Sequence, residues 1–416
     1  MRVEVCVVGG GPGGAAAAIT LARAGREVHL VDKATFPRDK TCGDGLTTNA
    51  LRRLSELGLD PSTVASWFAV DDVLVRSPSG RVVEFPMPRG RGSYAAVARR
   101  VDLDAALLDV ARAAGVKVHD GHALVGVDGV GRESVTLDVD GLGPVEATYV
   151  VAGDGQWSPT AKALGLYPNG YLGEWHAFRQ YFSGVGPRAE RDLWVWFEPD
   201  FLPGYAWSFP LPGARANVGF GIQRGAKVAT QDMKDLWPEL LRRPHIRDVL
   251  GADAAPEAPH RAWPIPARID TAVLSGAGGR VLFVGDAAGA CDPMTGEGIG
   301  QALDTGIAAA GAITDAGPGA PAWAAWRYRR DVWTTLRRDH QMSMLLVRAL
   351  QHRKGARAAV RVAGVTPWTR RNFARWLFED EPRAILATPR RWHRDFLDRD
   401  GARHFASSDR IGVSRR

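Results

Sequence analysis

The sequence predicts an α/β protein. A Rossmann-like dinucleotide-binding domain is assembled from three discontinuous segments, joined to a β-rich second domain and a helical C-terminal region. Three observations lead there. The chain opens on a strand, a glycine loop, a helix and a second strand. Two later buried stretches, one running into Asp154-Gly155 and one into Gly285-Asp286, return to that unit. Aromatic-rich alternating stretches fill the interval between them.

The opening unit reads VEVCVVGGGPGGAAAAITLARAGREVHLVD, from Val3 to Asp32. Its valines make one buried parallel strand. Gly9, Gly11 and Gly14 follow in G-x-G-x-x-G spacing, then an Ala-rich segment of high helix propensity. Gly9 allows the tight turn, Gly11 lets the backbone approach a pyrophosphate, and Gly14 lets the helix pack close to the sheet. The helix N-terminus presents free N–H groups and a positive dipole end to that anion. Asp32 stands 18 residues after Gly14 and is the expected acceptor for an adenosine ribose, with Lys33 beside it.

Composition narrows the class. At 45% hydrophobic and 24% charged, the chain is an ordinary globular one. No run of 18 apolar residues occurs, and nothing before Val3 reads as a signal peptide, so a cytoplasmic protein is expected. Cys6, Cys42 and Cys291 are odd in number and unpatterned, which argues against a disulfide framework; no metal site is expected. The net charge of +7 is uneven. From Arg327 to Arg416 there are 22 basic and 9 acidic residues, a surplus of 13, which leaves the rest of the chain at −6. A basic, amphipathic tail fits either a solvated cap or an anionic membrane surface, at the inner face of the cell membrane. No nucleic-acid motif accompanies the charge.

The expected boundaries follow in order. Residues 1–169 form the nucleotide-binding domain, with β insertions near 70–97 and 123–148. Residues 170–270 form the β-rich domain, residues 271–316 return to the first, and 317–416 are the basic helical region. A helix capped by Thr47 or Thr48 follows the loop KATFPRDKTCGDGLT, and Arg100 opens another. In that loop Gly43 and Gly45 flank Asp44, as they would where backbone passes close to a ligand.

The glycine loop with Asp32, then Asp154-Gly155, then Gly285-Asp286 with Pro293, Gly296 and Gly298, resembles the flavoproteins built like p-hydroxybenzoate hydroxylase, over residues 1 to 315. The resemblance implies FAD as cofactor. It assigns Gly285-Asp286 to the flavin ribityl chain and Arg100 to the phosphate and ribityl region. It also turns the helix from Gly298 and Ile299 toward the flavin N1–C2=O edge, where a helix N-terminus stabilises the charge left by hydride acceptance. Lys162 stands where many relatives place an arginine.

Finer motifs are similar to the geranylgeranyl reductase family: FPRDKTCGDGLT beside the flavin, with Cys42 and Gly43; LPGYAWSFP, with Tyr205, Trp207 and Phe209 alternating on one face; and Asn217, Gly219 and Gly221 in N-x-G-x-G. That family reduces C=C bonds of prenyl chains, so the resemblance implies a geranylgeranyl-lipid or menaquinone-type substrate. NAD(P)H and ferredoxin are the candidate electron donors. The chemistry needs an apolar slot and a proton source, which Cys42, Tyr205 or a bound water could supply, while Trp207 walls the slot. The rival is a flavin monooxygenase or halogenase acting on an aromatic small molecule. Halogenases carry W-x-W-x-I-P here, where this chain has Tyr205 and Phe209 in place of the first Trp and the Ile; Trp194-Val195-Trp196 has the W-x-W look, but with Glu198 at the Ile position.

Overall fold

The computed structural model describes residues 1–384 and 399–402. Two sheets organise it. The first has the strand order Ser275–Gly276, Val281–Phe283, Gly143–Ala152, Arg2–Val8, Val28–Asp32, Lys117–Asp120. From Val281–Phe283 onward its neighbours run parallel. Burial of both faces explains the unbroken valine runs. Helix Pro12–Arg23 packs against it and against Ile299–Ala316.

The close crossing of those two helices depends on absent side chains. A Cβ at Gly306 would lie 2.1 Å from the Gly13 carbonyl oxygen, and one at Gly14 would lie 1.9 Å from that of Gly9. Glycine here buys contact between backbones, and so fixes the loop that the first helix carries.

The second sheet runs Trp175–Ser183, Arg215–Gln223, Tyr205–Leu211, Leu193–Trp196, Asp72–Arg76, Val82–Pro86. Strand alternation gives it two different faces. Trp194, Trp196, Phe178 and Phe220 point one way, into a core closed by Trp237 and Leu240 of helix Met233–Arg242. Leu193, Val195, Tyr205 and Trp207 point the other way, into a cavity.

The strands expected as an insertion near 70–97 are present, and their pairing assigns them to the second sheet. Asp72–Arg76 runs parallel to Leu193–Trp196, and Val82–Pro86 closes that second sheet, so these strands extend the aromatic sheet and not the first one. The meander near 123–148 does join the first sheet. It consists of Leu124–Val130 and Val135–Val139, and the latter pairs with Gly143–Ala152, one continuous strand that reaches Ala152.

The C-terminal region is helical over Pro321–Val332, Arg338–Leu350, Arg353–Ala363 and Pro367–Leu377. It is a wall of the molecule. Val360, Ala363, Ala374 and Phe378 share a core with Val83 and Phe85, and the buried Tyr328 hydroxyl donates to the Phe283 carbonyl at 2.5 Å. The expectation of a basic tail also covers residues 385–398 and 403–416, which lie outside the described residues.

Gly306→Ala should therefore cost stability. Overpacking of this kind typically costs about 1–3 kcal/mol, and the shift passes to Gly13 in the first helical turn. Thermal melts should show a lower midpoint, and the purified variant should retain less flavin. An unchanged melt would contradict the close-packing account.

Candidate active site

One cavity of about 1090 Å³ lies between the two sheets and the C-terminal helices. Its polar end is the glycine loop. Gly9 has φ +103°, and a Cβ there would lie 2.3 Å from the Gly153 carbonyl oxygen. Asp32 accepts the Gly10 N–H at 2.7 Å and the Ala34 N–H at 2.8 Å. It therefore pins the loop, a task added to the ribose contact expected of it.

Two guanidiniums lie beside Gly11, Arg100 and Arg38, each with an Nη2 3.7 Å from where a Cβ would stand. Both pair at 2.7 Å with the one buried carboxylate of Asp104. Two cations against one anion leave a positive charge next to the loop, which suits a pyrophosphate. Arg38 was not legible as a site residue; only its place after the Phe36-Pro37 turn would have pointed to it.

Further along, Asp154 accepts the Thr160 N–H at 2.8 Å while its other carboxylate oxygen is buried without a partner among the described residues. Burial raises its pKa. Gly155 and Gly285 both have positive φ (+82° and +60°), so the backbone turns sharply at the two strand ends. Lys40 Nζ is 4.0 Å from Asp286 Oδ2 and 3.7 Å from the Trp263 ring centre; burial pulls its pKa down to about 8. Lys33 lines the same cavity. Lys162 lies instead over the rings of Trp157 and Tyr167.

Pro293, Gly296, Gly298 and Ile299 also line the cavity, where Gly298 caps helix Ile299–Ala316. Glu297 accepts the Gly300 N–H at 2.6 Å, occupying one free donor of that helix. Burial and repulsion from Glu379 push the Glu297 carboxyl up; Glu379 is raised in turn, and Gln301 donates to it at 2.9 Å. This buried pair was not foreseen, because the two residues are 82 apart in sequence.

The apolar end is the aromatic strand. Tyr205, Trp207 and Phe209 stand in a row, with ring centres 6.1 and 6.0 Å apart, and all three line the cavity. Directly opposite them in the neighbouring strand are Gly221, Gly219 and Asn217. A Cβ at Gly219 would lie 2.3 Å from the Trp207 ring, so the glycine makes room for the indole. The two sequence motifs are thus one structure, rings on one strand and their seats on the next.

Asn217 ties this strand to the Cys42 loop. It accepts from Trp207 Nε1 at 3.1 Å and donates to the Cys42 carbonyl at 2.9 Å and to Asp44 at 2.8 Å. Tyr181 donates to the same Asp44 oxygen at 2.6 Å, and Arg179 holds Asp39 at 2.8 Å. Asp44 is fully buried, has φ +66°, and its other oxygen lacks a hydrogen-bond partner among the described residues. Burial raises its pKa to about 6, against the lowering by Tyr181, Arg179 and Asn217. The Cys42 thiol is pushed up by burial as well, with Arg100 opposing, so it keeps its proton at neutral pH. Gly43 packs between Phe209 and Trp207. The Tyr205 hydroxyl donates to the Thr295 carbonyl, which commits its proton.

Comparison with known proteins agrees with this geometry. Residues 2–313 match the FAD binding domain family. The chain is 35% identical over 344 residues to a menaquinone reductase of Mycolicibacterium smegmatis, covering 76% of this chain and 77% of that one. It belongs to this family of FAD-dependent oxidoreductases. A digeranylgeranylglycerophospholipid reductase of Methanopyrus kandleri is 31% identical over 317 residues, covering 74% and 75%. The solved structure of a geranylgeranyl bacteriochlorophyll reductase-like protein from Thermoplasma acidophilum shares the fold, with a TM-score of 0.72 at 21% identity over 94% and 96% of the two chains. A flavin-dependent brominase superimposes equally well, so the fold by itself does not select the reaction. The charged loop end, the open Gly11 and the sharp turn at Gly285 fit FAD.

Asp44 gives a pH test. Its folded pKa of about 6 lies above the unfolded value of about 3.9. The native state then binds the extra proton, so this contribution is complete below pH 4 and is lost as pH rises through 6. Urea unfolding of the wild type minus Asp44→Asn should show that decline, with a ceiling of about 3 kcal/mol. Parallel profiles would contradict the assignment.

Proposed function

We propose that the protein reduces C=C bonds in the polyprenyl chain of a lipid, of the menaquinone or geranylgeranyl type, with FAD. The observation that carries this is the form of the cavity. A charged end built for a dinucleotide continues into a wall of three aromatic rings and then along the apolar faces of the C-terminal helices, including Leu346, Phe373 and Leu377. A small aromatic substrate needs no such length. Both reductase relatives are named for molecules that carry polyprenyl chains while differing in head group.

When bound and reduced, FAD supplies the hydride. The chain's own groups do the rest. Gly9 to Gly14, Asp32, Lys33, Arg38 and Arg100 would hold the dinucleotide. Asp286, Gly285 and Asp154-Gly155 would hold the middle of the cofactor, and the Pro293–Ile299 segment, which lines the same cavity, would bind its flavin end. Tyr205, Trp207 and Phe209 orient the alkene and exclude water. Cys42 gives its thiol proton to the carbon that does not receive hydride; the Arg100 guanidinium beside it favours the thiolate that remains until a solvent proton replaces it. NAD(P)H or ferredoxin would be the source of the flavin's electrons. The protein works in the cytoplasm, peripheral to the inner face of the membrane.

The halogenase alternative draws no support from the W-x-W stretch. Trp194 and Trp196 both face away from the cavity, into the core with Trp237.

Anaerobically photoreduced enzyme should be reoxidised by a prenylated quinone or a geranylgeranyl lipid, with a gain of two hydrogens per turnover. Trp207→Ala should keep its FAD and lose roughly a hundredfold in turnover on long chains, the scale of a few kcal/mol of aromatic burial felt in the transition state. Reduced enzyme that ignores every prenyl lipid, yet with oxygen hydroxylates or halogenates a small aromatic, would replace this reading with the other.

A further inference from the structure

The C-terminal helices carry a surface that the reaction does not use. Between Gln341 and Phe378 there are eight Lys and Arg residues and no Asp or Glu. Arg375 is spent inside the fold on Asp380. Six others, Arg348, Arg353, Lys354, Arg357, Arg361 and Arg371, are exposed, and among the described residues none of them has an ion-pair partner. Interleaved with them are apolar side chains left in water: Leu345 at 58% exposure, Val362 at 66%, Val365 at 65% and Trp368 at 58%.

This patch is joined to the cavity. Val362 and Trp368 line it and are also largely exposed, so they stand at its rim. Leu346 and Leu350 line it from the preceding helix. Exposed tryptophan and aliphatic side chains among unpaired arginines match the headgroup boundary of a bilayer, where rings sit at the interface and guanidiniums meet phosphates.

We propose that the face formed by helices Arg338–Leu350, Arg353–Ala363 and Pro367–Leu377 lies on an anionic lipid bilayer, with the cavity mouth at Val362 and Trp368 turned into it. The chain of a lipid substrate then passes from the acyl layer to the Trp207 wall without crossing water. That passage rests on the prenyl-lipid reading; the docking itself does not. A second copy of the chain is a poor occupant, because two-fold pairing would set this unneutralised cationic face against itself. A second exposed group, Trp323, Trp326 and Trp333, is a different case. None of the three lines the cavity, and Arg330 and Arg337 already stack on two of them.

The test is flotation of the full-length holoenzyme with vesicles of phosphatidylcholine alone or containing a third phosphatidylglycerol. Wild type should float with the anionic vesicles and lose that binding at high salt. Arg357→Glu/Arg361→Glu/Arg371→Glu should float less than a tenth as well. It should keep its FAD, its thermal melt and its turnover on a prenyl substrate in detergent, while turnover on the same substrate embedded in vesicles falls at least tenfold. If the charge reversals perturb the melt, the milder Arg→Gln set should show the same loss in smaller measure. Trp326→Ser should float normally. Wild type that does not float, reversals that float undiminished, or a reversal that only dissociates a dimer would each overturn the docking. Flotation as expected with no turnover on any prenyl lipid in detergent would instead overturn the reductase reading and leave the docking standing.

Discussion

The register between two strands governs this site. Trp207 can lie flat in the cavity wall only because Gly219 is its direct neighbour across the sheet, and the same pairing sets Phe209 opposite Asn217. A one-residue slip would turn all three rings away from the cavity and seat them against side chains. Asn217 then converts the strand pairing into a tertiary link, since its amide holds the indole with one atom and the Cys42 loop with the other. The aromatic wall and the Cys42 loop are thereby fixed to each other. Arg179 and Tyr181 add a second attachment from the next strand.

Charge is sorted along the cavity in the same spirit. At the glycine loop, Arg38 and Arg100 outnumber Asp104, and Asp32 holds backbone in place. At the substrate end the polar groups are few, and each is committed: Tyr205 to Thr295, Trp207 to Asn217. Between the two lie the groups that burial makes reluctant to ionise, Asp44, Cys42 and Glu297. A low-dielectric middle that holds protons suits a reaction joining a hydride to a proton.

Much of the first sheet was legible because its signals are local. Glycine spacing, the valine strand and Asp32 lie within one short stretch, and helix starts at Thr48 and Arg100 lie where their caps and patterns put them. The aromatic row was legible as a face by alternation alone. Alternation does not say which sheet a strand joins, so the pairing of Asp72–Arg76 and Val82–Pro86 with the aromatic sheet is visible only in the structure. Charge counting does not separate buried from solvated arginines in the tail. Arg375 and Arg383 are buried against Asp380, Asp292 and Glu379, and no local pattern tells a buried arginine from a solvated one. The Asp44, Tyr181 and Asn217 cluster was hidden for the same reason, being made of residues from three distant segments.

The central claim is that one cavity holds FAD at its charged end and a long apolar chain against Tyr205, Trp207 and Phe209. A crystal structure of the protein with FAD and a prenylated quinone tests it most directly. The account predicts density for the chain between the Cys42–Gly45 loop and that strand, running on past Phe373 toward Trp368. A chain bound elsewhere, or a flavin ring that closes the space beside Trp207, would contradict it.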